Sequence, residues 1–190
     1  MNKIEKILGF GLIFLMILSL IIDYPYSALL ITIFAFVLSL IYCFLSFKLL
    51  NINKKDSTEK TSSLRNTGII LTGITLSLVV IGFLFKFLRW PNGGYILMNG
   101  LLGLIPILII TIFKLSKVNS EFYKNMLIRI LIIGFFGTLL LFTKSETLLE
   151  MQCRNFPEYI EAEKNLMQDP TNKELERIAN EERKKMHQSE

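Results

Sequence analysis

The chain has 190 residues, of which 52% are hydrophobic and 15 are phenylalanine, with a mean hydropathy of +0.48. Its charge is divided: Lys144–Glu190 carries 8 Lys+Arg against 11 Asp+Glu, and the preceding 143 residues carry 13 against 5. Those basic residues lie between apolar runs, so anionic lipid headgroups are their counter-charge and a nucleic-acid role is excluded.

In chain order, the first apolar run is Ile7–Ile22, preceded by Lys3, Glu5 and Lys6. That layout resembles a signal peptide, but the DYPYSA that follows offers bulky Tyr26 where a cleavage site wants a small residue. An uncleaved first span is expected. Tyr24-Pro25-Tyr26 predicts a tight turn, with Pro25 opening the next helix. Ala28–Phe47 is a second span of 20 residues without a charge. Lys48–Asn66 has no apolar periodicity and predicts a mobile loop. Thr67–Leu88, Tyr95–Phe113 and Met126–Thr143 complete five spans, the last two joined by a basic connector, Lys114–Asn125.

Backbone immersed in hydrocarbon has no water to bond, so each span is expected to be helical. The small pairs Gly73/Ser77 and Gly134/Thr138 permit close helix contact. Orientation follows from the short loops. On the N-terminal side lie Lys3, Lys6, Lys48, Lys54, Lys55, Lys60, Arg65, Lys114, Lys117 and Lys124; on the other lie Lys86, Arg89 and Lys144. Ten against three places the N-terminus in the cytoplasm and the tail outside. The tail, residues 144–190, reads as soluble helix: Glu146–Cys153 continuing the fifth span, a break at Asn155-Phe156-Pro157, and another at Asp169-Pro170. Leu175, Ile178 and Ala179 make a narrow strip facing Tyr159, Ile160 and Met167, which is consistent with a helical hairpin or, because the strip is thin, with a frayed and partly disordered end.

Few residues offer chemistry. Lys86 and Arg129 lie near opposite ends of their spans, where snorkelling to the headgroups accounts for them, and no Asp or Glu falls inside a span. Asn99 reads as an interhelical hydrogen-bond donor and Pro106 as a kink. His187 reads as solvated; Cys43 reads as apolar filler and Cys153 as an incidental thiol, with no bond expected between them. No nucleophile has a base beside it, no metal spacing occurs, and no cofactor motif is present, so no enzymatic role is expected.

Gly82-x-x-x-Lys86-x-x-Arg89-Trp90-Pro91-Asn92-Gly93 stands where the third and fourth spans meet. It resembles the pattern G-x-x-x-K-x-x-H-W-P-G-A of the GldL-type membrane subunit of the bacterial gliding-motility and type IX secretion motor, and a wider group of small bacterial membrane proteins. The likeness covers residues 82–103. It implies a hairpin at the outer face of the inner membrane, with Trp90 as interface anchor, Pro91 stopping a helix and Gly93 allowing the turn. Arg89 replaces the His and Asn92 the Gly of that pattern, and the motor subunit's membrane Glu has no counterpart in Tyr95–Phe113.

The expectation is therefore an all-α, five-span bundle (residues 1–143) with a helical tail, in a bacterial inner membrane. Its expected role is that of a non-enzymatic structural or accessory subunit, partnered by lipid and by another membrane protein or a second copy. The alternative is a small transporter or channel using Lys86, Asn99 and Arg129. Candidate functional positions are Lys86, Arg89, Trp90, Pro91, Gly93, Asn99 and Arg129.

Overall fold

The computed structural model describes residues 3–21, 26–55, 63–117 and 121–189. They form eight helices: α1 Lys3–Ile21, α2 Ser27–Lys55, α3 Ser63–Phe87, α4 Gly93–Lys117, α5 Glu121–Phe142, α6 Ser145–Gln152, α7 Pro157–Gln168 and α8 Lys173–Ser189. Four contain stretches long and apolar enough to cross a membrane: Ser27–Phe44, Gly68–Phe87, Gly93–Lys117 and Glu121–Phe142. The fifth expected span, Ile7–Ile22, is not among these four, although α1 is helical through Ile21.

The helices outrun the apolar runs. α2 continues through Lys48 to Lys55 and α3 begins at Ser63, so most of the expected loop Lys48–Asn66 is helix. Asn and Lys propagate a turn already nucleated upstream at little cost. Likewise α4 reaches Lys117 and α5 starts at Glu121, which shortens the expected connector. The expected Tyr24-Pro25 turn, the loop centre at 56–62 and residues 118–120 lie outside the described residues. α2 begins at Ser27, after Tyr26 in the left-handed region with a φ of 67°.

α3 is the central helix, flanked by α2, α4 and α5, while α1 packs on α2. Its Val79 is fully buried against Leu97 of α4, with Ile31 and Leu38 of α2 and Ile130 and Leu140 of α5 in the same core. The outward faces are just as apolar: Phe10, Phe14, Phe44, Tyr95, Phe135 and Phe142 are all exposed. Water does not explain such a surface; hydrocarbon does.

Glycines set the α3–α4 spacing. A Cβ on Gly82 would stand 2.6 Å from the Leu97 backbone, and one on Gly100 would stand 2.8 Å from the Val79 side chain. On α5 the close approach is at Gly137, whose Cβ would lie 3.1 Å from Leu101. Gly134, by contrast, meets nothing within 4 Å, and Thr138 is exposed and donates to the Gly134 carbonyl at 2.7 Å. The expected Gly134/Thr138 contact is thus not part of this bundle. Ser77 does join helices: its hydroxyl and that of Ser39 on α2 are 2.6 Å apart. Thr72 and Thr111 bond carbonyls of their own helices, Gly68 and Ile107, both at 2.7 Å.

α6 is a separate helix rather than a continuation of α5. The chain breaks at Lys144, whose φ of −66° and ψ of 146° are extended, and α6 turns back to touch α1. Its Leu148 joins the main core and Leu149 a second one with Cys153 and Tyr159. α7 and α8 form the expected hairpin, starting at Pro157 and broken near Asp169. Ala179 is fully buried there, but Ile178 is exposed, and Met186 takes the expected place of Ile178 against the second core.

Charge also closes the tail. Arg183 donates to the Glu163 carboxylate at 3.2 and 3.3 Å and bonds the Tyr159 hydroxyl, which raises its pKa. Lys164 pairs with Glu150 across α6 and α7. The guanidinium of Arg177 holds the Glu174 carboxyl below its ordinary range.

Candidate functional site

The hinge between α3 and α4 is built by its backbone. The Trp90 amide donates to the Phe85 carbonyl at 2.8 Å, and the Arg89 amide to Lys86 at 3.2 Å. With Arg89 at a φ of 57°, these bonds make a Schellman cap on α3. The Trp90 ring meets Phe85 edge-on with centroids 4.8 Å apart, the apolar contact that accompanies such caps. The Gly93 amide then donates to the Trp90 carbonyl at 3.2 Å, closing a turn with Pro91 second and Asn92 third at a φ of 61°. Proline followed by a left-handed residue is type II turn chemistry. Gly93 is needed because a Cβ there would stand 2.6 Å from the Lys86 backbone nitrogen.

Two non-glycine residues are therefore held left-handed within four positions, at roughly 1–2 kcal/mol each. The side chains tie the hinge to the tail. Lys86 donates to the Ser145 hydroxyl at 3.3 Å, and Gln152 donates to the Phe87 carbonyl at 2.8 Å, satisfying an orphan at the end of α3. Arg89 points its Nη2 at the Cys153 sulfur at 3.8 Å, while its Nε is buried with no acceptor. An unmet buried donor costs about 1–3 kcal/mol. Cys153 is buried in the tail core rather than incidental, and it and Cys43 form no disulfide.

Arg129 lies elsewhere. Instead of snorkelling, its guanidinium grips Glu5 with both ends, Nε to Oε1 at 2.6 Å and Nη2 to Oε2 at 2.9 Å. The Glu5 side chain is 1% exposed and that of Arg129 is 13% exposed. The Tyr42 hydroxyl also hydrogen-bonds Glu5, so α1, α2 and α5 meet at one carboxylate. This is the polar centre that sequence reasoning missed, since Glu5 reads as part of a charged flank. A signal existed: Glu5 and Arg129 carry opposite charges, and the charge count over the short loops puts their ends of the apolar runs on one expected side. Beyond the pair, an apolar cleft of about 240 Å³ runs past Gly9 and Leu12 of α1 and Ile133 and Phe136 of α5, above Val79 of α3.

Asn99 does not bond a neighbouring helix as expected. It stands exposed on α4, beside Tyr95, Met98 and Leu102 on the outward apolar face. α4 also passes through Pro106 without interruption. Lys86, Asn99 and Arg129 do not converge: one serves the hinge, one faces out, and one is locked to Glu5. No group of three or more His, Cys, Asp or Glu with metal-binding geometry occurs among the described residues. The side chain of His187 lies outside them. No family model, curated protein or solved structure matches this chain.

Proposed function

We propose that the chain is a multi-pass protein of a bacterial inner membrane and a non-enzymatic subunit of a larger membrane assembly. In this reading α1 is the fifth span, the N-terminus is cytoplasmic, and the Trp90 hinge and the tail face outward. The observation that carries it is the exposed amide of Asn99. Six residues into α4, it stands about 9 Å along the helix from Gly93. Lipid offers that amide no partner at this depth, whereas a polar or small-residue helix from another subunit does. The interior polar groups speak for the same role, because Glu5, Tyr42 and Arg129, and Ser39 with Ser77, are engaged in joining helices. A conduit would leave such groups lining a path.

Photo-crosslinking from position 99 in intact membranes tests the assembly. The expected product is an adduct of one discrete mass, a dimer for a second copy or a hetero-adduct for another membrane protein. A chain that stays at 21.9 kDa, or carries only lipid, overturns the reading. Purified protein in sealed vesicles should carry no ion or solute flux; flux abolished by neutralising Lys86 would replace this role with transport. The resemblance of residues 82–103 to the motor-subunit hairpin supports a related bacterial setting and nothing of proton-driven work.

A further inference from the structure

At the hinge end a second cavity, about 560 Å³ in volume, lies between the end of α1, the start of α2, the α3 cap and the tail. Ser19, Thr32 and Trp90 line it, together with Leu29 and Ile33, whose own side chains are largely exposed on the outer face of α2. Among the described residues lining it, Arg89 is the one that carries a charge. Its Nε is buried and meets no acceptor. The chain keeps an arginine at a left-handed cap position where glycine would sit without strain. Arg89 brings the one charge among the described lining residues, none of which is a carboxylate, and a cation so placed suits an oxyanion. The fork geometry of arginine favours phosphate.

We infer that this cavity binds the phosphate of an anionic phospholipid, entering between the exposed Leu29 and Ile33 side chains of α2. Arg89 donates to the phosphate oxygens; the Ser19 and Thr32 hydroxyls, whose protons bond the Met16 and Ala28 carbonyls, accept from headgroup O–H groups; and the acyl chains leave along the apolar flank of α2. The site goes beyond the subunit role proposed above and does not depend on it.

Trp90 is the single tryptophan of the chain and lines the cavity, so it reports occupancy directly. The full chain in dodecyl maltoside is titrated with phosphatidylglycerol or phosphatidylcholine carrying dibrominated acyl chains. Saturable quenching of Trp90 is expected, with phosphatidylglycerol bound about tenfold or more tighter. Arg89→Gln should abolish that preference and Arg89→Lys retain part of it. Ala28→Phe, which leaves Arg89 intact but places a ring at the cavity wall, should lower affinity for both lipids. It decides the matter even if Arg89→Gln fails to fold. Equal affinity for the two lipids overturns the proposal, as does wild-type binding by Ala28→Phe. Competition by glycerol 3-phosphate as strong as by the intact lipid would make the ligand a free phosphate and overturn the lipid assignment.

Discussion

Removing either partner of the Glu5–Arg129 pair should cost far more than removing both. At a charge separation of about 4 Å and an effective dielectric of about 20, the Coulomb attraction is about 4 kcal/mol. The bidentate contact at 2.6 and 2.9 Å adds directionality, but bringing both ions out of water offsets much of the gain. Glu5→Leu or Arg129→Met leaves the other ion buried without its partner, so each should destabilise by about 3–5 kcal/mol. The double variant should lie within about 1–2 kcal/mol of wild type. Tyr42→Phe removes one hydrogen bond to Glu5 and should cost about 1 kcal/mol. Unfolding by sodium dodecyl sulfate in mixed micelles, followed by circular dichroism, yields the full double-mutant cycle. Additive single losses below about 1 kcal/mol would show the pair to be hydrated, and the account of α1 docking through Glu5 would fail.

Four further outcomes follow from the geometry. Gly82→Ala pushes a methyl into the Leu97 backbone, which cannot swing aside, and should cost about 1–3 kcal/mol or more. Gly9→Ala and Gly134→Ala meet nothing and should instead stabilise their helices by about 0.5–1 kcal/mol, in the same detergent denaturation series. Asn92→Gly relieves a left-handed asparagine and should raise the thermal midpoint, while Asn92→Val, β-branched at the same φ, should lower it. For the tail, the Glu174 carboxyl is held below its ordinary pKa by Arg177, so its contribution is present above the unfolded-state pKa. It should be lost as pH falls through the lower folded pKa, read as greater protease sensitivity of α8, and Arg177→Gln should remove that pH dependence.

The all-helical character and the positions of four of the spans were legible because their cause is local. A run such as Ala28–Phe47, without a charge, has one way to satisfy its backbone in hydrocarbon. The hinge was legible in part: Pro91 and Gly93 are turn signals, but α3 ends at Phe87, before the Pro91 expected to stop it, and Arg89 and Asn92 take the left-handed positions. Helix ends were less legible. Lys48–Lys55 interleaves Leu49, Leu50 and Ile52 with lysine and asparagine, which obscures the continuation of α2 through it. The tail break at Lys144 was missed as well, since neither glycine nor proline marks it; α6 turns there to bury Leu148 and Leu149, a tertiary demand.

The candidate site was hidden for a different physical reason. Glu5 and Arg129 are 124 residues apart, and each alone has an ordinary explanation at a membrane boundary. A flanking carboxylate is solvated; a lysine or arginine near a span end snorkels. What changes both is burial within the bundle. α5 begins at Glu121 rather than near Met126, so Arg129 lies eight residues, about 12 Å, from its helix start. From there, bonding Glu5 across the bundle competes with reaching back to the headgroups. The lower surrounding dielectric strengthens that attraction, and the Tyr42 hydroxyl fills another lone pair of the carboxylate. Asn99 shows the converse. A polar residue in an apolar helix is read as an inward bond, yet the glycine-lined contact of α4 with α3 occupies the inward face through Leu97, Gly100 and Leu104. The glycine-lined α3–α4 contact therefore leaves the Asn99 amide on the outward face of α4.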